Sequence, residues 1–160
     1  MAESDDAKQL VHLMEQVENS NFMLFEPGER KTTVDQQRKR IESMREEETS
    51  TILVAEDNGG LLGYLFAIGG NPMRAKHAVY LVIGVAESAR GQGVGARLFR
   101  ELEEWAKDQA IHRLELTVMV HNKAGIALYE KMGFEIEGTK RHSLFIDGKY
   151  IDEYYMSKLL

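Results

Sequence analysis

Leu10, Val11, Met14 and Val17 recur at the spacing of one helical face, which predicts a helix over residues 6–18. Thr33 and Gln36 stand three apart in a capping-box pattern, so a second helix is expected from there to about Glu47. Its Arg38, Lys39, Arg40 run reads as a solvated face rather than an anion site. Between the two helices, "NSNFMLFEPGERKTT" is an unusually apolar loop with a turn at Pro27-Gly28. After residue 50 the period shortens to that of strands. "TILVAE" and "LLGYLFAIGG", joined by "DNGG", predict a hairpin. "HAVYLVIGV", residues 77–85, is apolar enough for the middle of a sheet. A long helix from Val94 to about Gln109 follows, then the strand "HRLELTVMV". "NKAGIALYEKMGF" predicts a short helix with Asn122 as its cap and Gly133 as its stop. "EIEGTKRHSLFI" and "YIDEYYMSKL" close the chain as a hairpin around "DGK". With no linker or repeat, the order predicts a single mixed α+β domain over residues 1–160.

Composition narrows the class. Hydrophobic residues make up 43% and charged residues 29% of the chain, as in ordinary globular domains. No apolar run is long enough to span a bilayer, and "MAESDDAKQL" lacks the apolar core of a signal peptide. A cytoplasmic protein with no membrane partner is expected. The formal charge of −6 argues against nucleic acid as a partner. There is no cysteine, which removes disulfides, thiolate metal ligands and a cysteine nucleophile. The histidines are scattered, and no metal site is expected.

The candidate chemistry sits in "ESARGQGVGARLFRELEEWA", where Gly91, Gly93 and Gly95 alternate before a helix. A flexible turn accounts for one such glycine, or two. Gly91-x-Gly93-x-x-Ala96, with Glu115 further on, formally matches a dinucleotide fingerprint. That motif opens a doubly wound sheet, however, whereas here it follows a hairpin. A nicotinamide-dependent oxidoreductase remains only as a formal alternative. No Gly-Lys-Ser/Thr follows, so a Walker A loop is excluded. What remains is a pyrophosphate cradle made by the backbone N–H groups of Gly91, Gln92, Gly93, Val94, Gly95 and Ala96 at a helix N-terminus. Arg90 and Arg97 would add charge.

Two stretches together resemble one family. "ARGQGVGARL" is similar to the Arg/Gln-x-x-Gly-x-Gly/Ala motif of the GCN5-related N-acetyltransferases (GNAT), as Arg90, Gly93 and Gly95. "HNKAGIALYEKMGFEIEG" resembles their second signature, an Asn followed by a helix bearing Leu-Tyr-x-x-x-Gly-Phe. The likeness runs from about residue 50 to the C-terminus, and the ending looks most like the subgroup acting on amino acids or protein N-termini. The resemblance implies a mostly antiparallel central sheet of six or seven strands, splayed in the middle and flanked by about four helices. The family's usual strand before the first helix is not visible. Acetyl-coenzyme A is the implied acyl donor. Its pyrophosphate would lie on Gly91–Ala96. Its pantetheine arm would pair with the backbone of Ile83 and Val85, with a bulge at Gly84-Val85, and would touch Asn122. Backbone N–H near Val85 would hold the oxyanion.

Tyr129 follows Asn122 by seven residues, on nearly the same helical face. Taken alone it reads as a core aromatic; with the resemblance it is the expected proton donor to the leaving thiolate. Thr117 stands where one branch of the family has a glutamate base, so the base is unassigned, with Glu26, Glu29 and Glu115 in view through water. Phe22, Phe25, Glu26 and Glu29 are expected to line the acceptor site, against the plainer reading of two core rings and two solvated carboxylates. At pH 7 an α-amine is about 10% neutral and a lysine about 0.04%, so a site without a strong base favours α-amines. With no cysteine to carry the acetyl group, direct transfer in a ternary complex to an amino acid, a peptide or a protein N-terminus is expected. A non-catalytic acyl-coenzyme A binding module is the alternative, and the reading leaves room for a homodimer.

Overall fold

A computed structural model describes all 160 residues. Helix α1 spans Ala7–Glu18 and α2 spans Val34–Glu46. The face of α1 that buries Leu10, Leu13, Met14 and Val17 is close to the one its period predicts, with Leu13 in place of the half-buried Val11. At the start of α2 the Gln36 N–H donates to the Thr33 hydroxyl at 3.1 Å, and the Thr33 N–H donates to the Gln36 side chain at 2.9 Å. This reciprocal cap fixes where a very polar helix begins. α2 then buries Gln37, Ile41 and Met44.

Six strands follow: β1 Thr51–Asp57, β2 Gly60–Gly69, β3 Ala78–Val85, β4 Arg113–Met119, β5 Glu135–Ile146 and β6 Lys149–Leu159. Helix α3, Val94–Asp108, lies between β3 and β4, and α4, Lys123–Lys131, between β4 and β5. The sheet order is β1-β2-β3-β4-β6-β5. Only β3 and β4 run parallel; every other pairing is antiparallel. No strand precedes α1. Ala2 instead lies buried against the edge of β1, its N–H donating to the Ile52 carbonyl at 2.8 Å.

The parallel pair is short. β3 meets β4 only over Ala78–Tyr80 and Arg113–Glu115. Beyond that, β3 stays on β2 as far as Val85, and β4 stays on β6 as far as Met119. Two three-stranded half-sheets are therefore joined at one end and open at the other. α3 seals one face with Leu98, Phe99, Leu102 and Ala106, and Phe99 meets Phe134 edge-on at 5.4 Å.

The bulge expected at Gly84-Val85 is absent, because the β2–β3 register runs without a shift from Gly63 to Gly69. The shifts fall in β1, after Ala55, and in β5, after Ile136 and Lys140. Gly84 has a packing reason instead. A Cβ there would sit 2.5 Å from Cζ of the fully buried Tyr64 ring.

Candidate active site

The glycine run divides by function. Gly91 and Gly93 adopt φ +76° and +79°, the left-handed region that favours glycine. Nothing lies within 4 Å of a Cβ built at either position. Gly95 is different: its Cβ would meet Leu128 Cδ2 at 2.7 Å. The third glycine therefore lets α3 approach α4, which corrects the expectation that all three leave room for a ligand. No backbone N–H from Gly91 to Ala96 finds a backbone acceptor; the first to do so is Arg97, donating to the Gly93 carbonyl at 3.1 Å. No side chain caps this end of the 15-residue α3. Six donors are thus left without a backbone acceptor at the end of α3 where the helix dipole is positive, which suits a phosphate anion. The Gln92 side chain turns away and donates to the Ser88 carbonyl at 3.2 Å, bracing the turn. Arg90 is exposed beside it.

Arg90, Gly91, Gly93, Val94, Gly95 and Ala96 line a groove of about 480 Å³ that continues along Ile83, Gly84 and Val85 into the open end of the sheet, while Gln92, expected with them, stays outside it. The Ala86 N–H donates to the Leu62 carbonyl at 2.8 Å, so Ala86 faces β2. Strand alternation then turns Gly84 toward β2 and the backbone groups of Ile83 and Val85 toward the gap. Val120 donates to the Asp152 carbonyl on β6, which by the same alternation turns the backbone of Thr117 and Met119 toward the gap from the other side.

Asn122 caps α4, its Oδ1 accepting the Gly125 N–H at 3.0 Å, and it also lines the groove. Two turns further on, Tyr129 is 9% exposed, its ring meeting Phe99 edge-on at 5.9 Å. Burial, reinforced by nearby Tyr80, pushes its phenol up to about 12. It is both a core aromatic and a wall of the site.

A second cavity, of about 670 Å³, opens on the other side of Tyr129. It shares Phe22, Met23, Ile83, Asn122 and Tyr129 with the groove. The loop after α1 supplies Phe22, Met23, Leu24 and Phe25. Thr117 lies on its wall, its hydroxyl hydrogen-bonded to the Tyr80 hydroxyl at 2.8 Å across the gap. Glu26 and Glu29 are not brought here. Both are exposed, and the Glu29 carboxylate accepts the Glu26 N–H at 3.1 Å, so it holds its own turn instead of facing the cavity. Glu115 is likewise outside, bonded to Arg113 at 2.6 Å.

The charged groups that do line the cavity are Arg30, Arg40, Lys140 and Glu153. Arg30 Nε donates to the buried Glu18 carboxylate at 2.8 Å, and its guanidinium lies 4.5 Å above the Phe25 ring. Arg40 is exposed along part of its length, and partial burial together with the charge of Arg30 holds it below the usual guanidinium range. Glu153 is buried, opposite Met119 in the β4–β6 register, and accepts from the Ser143 hydroxyl at 2.9 Å. Sequence reasoning passed over Glu153. Its only signal is a charge inside the strand "YIDEYYMSKL", and it reaches the cavity only because β6 inserts beside β4.

The profile of the acetyltransferase (GNAT) family matches residues 13–134. The L-amino acid N-acetyltransferase of Escherichia coli is 36% identical over 108 residues, which cover 67% of this chain and 67% of that protein. A solved acetyltransferase of the GNAT family from Streptococcus pneumoniae superposes with a TM-score of 0.94 at 30% identity, over 99% of this chain and 96% of that one. An acetyltransferase structure from Salmonella typhimurium, solved with acetyl-CoA, shares the fold at a TM-score of 0.90 and 19% identity, covering 99% of this chain and 91% of its own. The helix-capped groove, the splayed sheet and these likenesses agree: the chain belongs to the GNAT family of acetyltransferases.

Proposed function

We propose that this acetyltransferase uses acetyl-CoA and transfers the acetyl group directly to the α-amine of an amino acid, a peptide or a protein N-terminus. The observation that carries the reading is the meeting of two cavities at Ile83, Asn122 and Tyr129, one lined by free backbone donors and the other by an apolar loop. The Escherichia coli relative, named for its action on L-amino acids, and the Salmonella structure, solved with acetyl-CoA, support donor and acceptor class alike.

When bound, acetyl-CoA supplies a thioester whose carbonyl an amine attacks. The N–H groups of Gly91–Ala96 hold the pyrophosphate, and the left-handed turns at Gly91 and Gly93 aim them. Ile83 and Val85 offer backbone to the pantetheine arm as a neighbouring strand would. The Val85 N–H faces the gap, where negative charge gathers on the carbonyl oxygen. Tyr129, protonated far above neutral pH, donates to the departing sulfur. As the C–N bond forms and the C–S bond breaks, the proton shed by the nitrogen passes to solvent water, and a proton from water restores the Tyr129 phenol, so none is gained or lost overall. The only carboxylate lining the acceptor cavity is Glu153.

Thiol release from acetyl-CoA, measured over a panel of amino acids, N-terminal peptides and polyamines, tests this. Release that depends on an α-amine is expected. Binding of acetyl-CoA with no acceptor-dependent release would reduce the protein to an acyl-coenzyme A binding module.

A further inference from the structure

The charges of the acceptor cavity do not balance. Arg30 is neutralised by Glu18, its ion-pair partner. Arg40 and Lys140 take part in none of the six ion pairs of the protein. Against these two free cations the lining has one carboxylate, Glu153. One positive charge is left in excess, in a cavity whose other walls are largely apolar.

Arg40 is also held in place. Its Cζ lies 4.8 Å above the centroid of the Phe66 ring, and Phe66 is 2% exposed. A guanidinium stacked on a fixed ring has fewer rotamers to lose when it binds, and its remaining N–H groups fork toward a planar anion. The flanking cations of the same helix differ: Arg38 pairs with Asp35 at 2.6 Å, while Lys39 is exposed and outside the cavity. Thus the run Arg38, Lys39, Arg40 is a solvated face with one member, Arg40, turned to the site.

We propose that Arg40 binds the carboxylate of the acceptor, which makes a free α-amino acid, and not a peptide N-terminus or a polyamine, the preferred substrate. This rests on the acetyl-transfer reading above. In its reactive form a free amino acid has a neutral amine and a carboxylate, so its net charge of minus one offsets the excess in the cavity. A peptide N-terminus has an uncharged amide where that carboxylate would sit. A polyamine adds positive charge beside Arg40 and Lys140.

The test compares apolar L-amino acids, methionine and phenylalanine among them, with their α-amides, by thiol release from acetyl-CoA. The carboxylate makes the amine of the free acid the more basic of the two. The amide therefore starts with the larger neutral fraction, and a preference for the acid has to come from the site. The wild-type protein is expected to favour the acid in kcat/KM by about tenfold or more, the scale of a hydrogen bond to a charged group. R40Q should collapse that ratio through the acceptor KM, with acetyl-CoA KM and thermal melting as controls for the donor site and the fold. R40K, which keeps the charge but not the fork, should restore part of the ratio. Wild-type protein that uses acid and amide equally, or an acid-to-amide ratio unmoved in folded R40Q, overturns the assignment and leaves acetyl transfer standing. No transfer to any amine by the wild-type protein overturns the acetyl-transfer reading itself, and Arg40 with it.

Discussion

Burial pushes the Tyr129 phenol up to about 12 and keeps it protonated across any ordinary assay range, as the proton-donor role proposed for it requires. Its ionisation puts no break in a pH–rate profile below about pH 10, the ordinary phenol value. Tyr129→Phe removes one oxygen and leaves the contacts of the ring with Phe99 and Phe134 in place. Single-turnover transfer should fall on the order of a hundred- to ten-thousandfold, while acetyl-CoA binding persists. A folded Phe variant with the wild-type single-turnover rate would return Tyr129 to the role of core aromatic. The same residue affects stability. Because its folded value lies above that of the unfolded chain, its contribution is full below about pH 10 and is lost as pH rises toward 12. Urea melts between pH 9 and pH 12 should therefore show a shallower alkaline loss in Tyr129→Phe than in the wild-type protein. Equal slopes would mean that the phenol does not sense its burial.

At the level of elements, the turn into α3 separates two reasons for being glycine. Gly93→Val forces a β-branched residue to φ near +79° and should abolish acetyl-CoA affinity with much of the fold retained. Gly95→Ala meets only the far end of the Leu128 side chain, which can turn aside. It should bind acetyl-CoA within a few-fold of wild type. Isothermal titration of both variants distinguishes them, and equal loss in both would make the whole run a single ligand surface. This division also marks what the sequence could convey. Local signals were legible: the Thr33–Gln36 cap, the hairpins, the Asn122 cap and the six donors before Arg97. Contacts between distant elements were not. Leu128 under Gly95, Tyr64 under Gly84 and Glu153 beside β4 depend on packing and register, which no local period encodes. Glu26 and Glu29 illustrate the converse, since a carboxylate next to apolar residues in a loop need not point where they point.

For the molecule as a whole, the main feature is a sheet in two halves, joined by the three residue pairs between Ala78–Tyr80 and Arg113–Glu115. A ligand bound across the open end should hold the halves together and raise the melting temperature. Acetyl-CoA at a hundred times its dissociation constant should add about 2.7 kcal/mol to stability, and a nicotinamide dinucleotide at the same concentration should add nothing. A shift with the dinucleotide alone would revive the oxidoreductase reading. The open end also sets a rhythm along β3 that deuterium exchange can read. The amides of Val82 and Gly84 face β2 and should exchange slowly in the free protein, while those of Ile83 and Val85 have no strand opposite and should exchange fast. Within β3, filling the gap should slow those two alone, so that the donor registers in the spectrum as every second amide of one strand going silent.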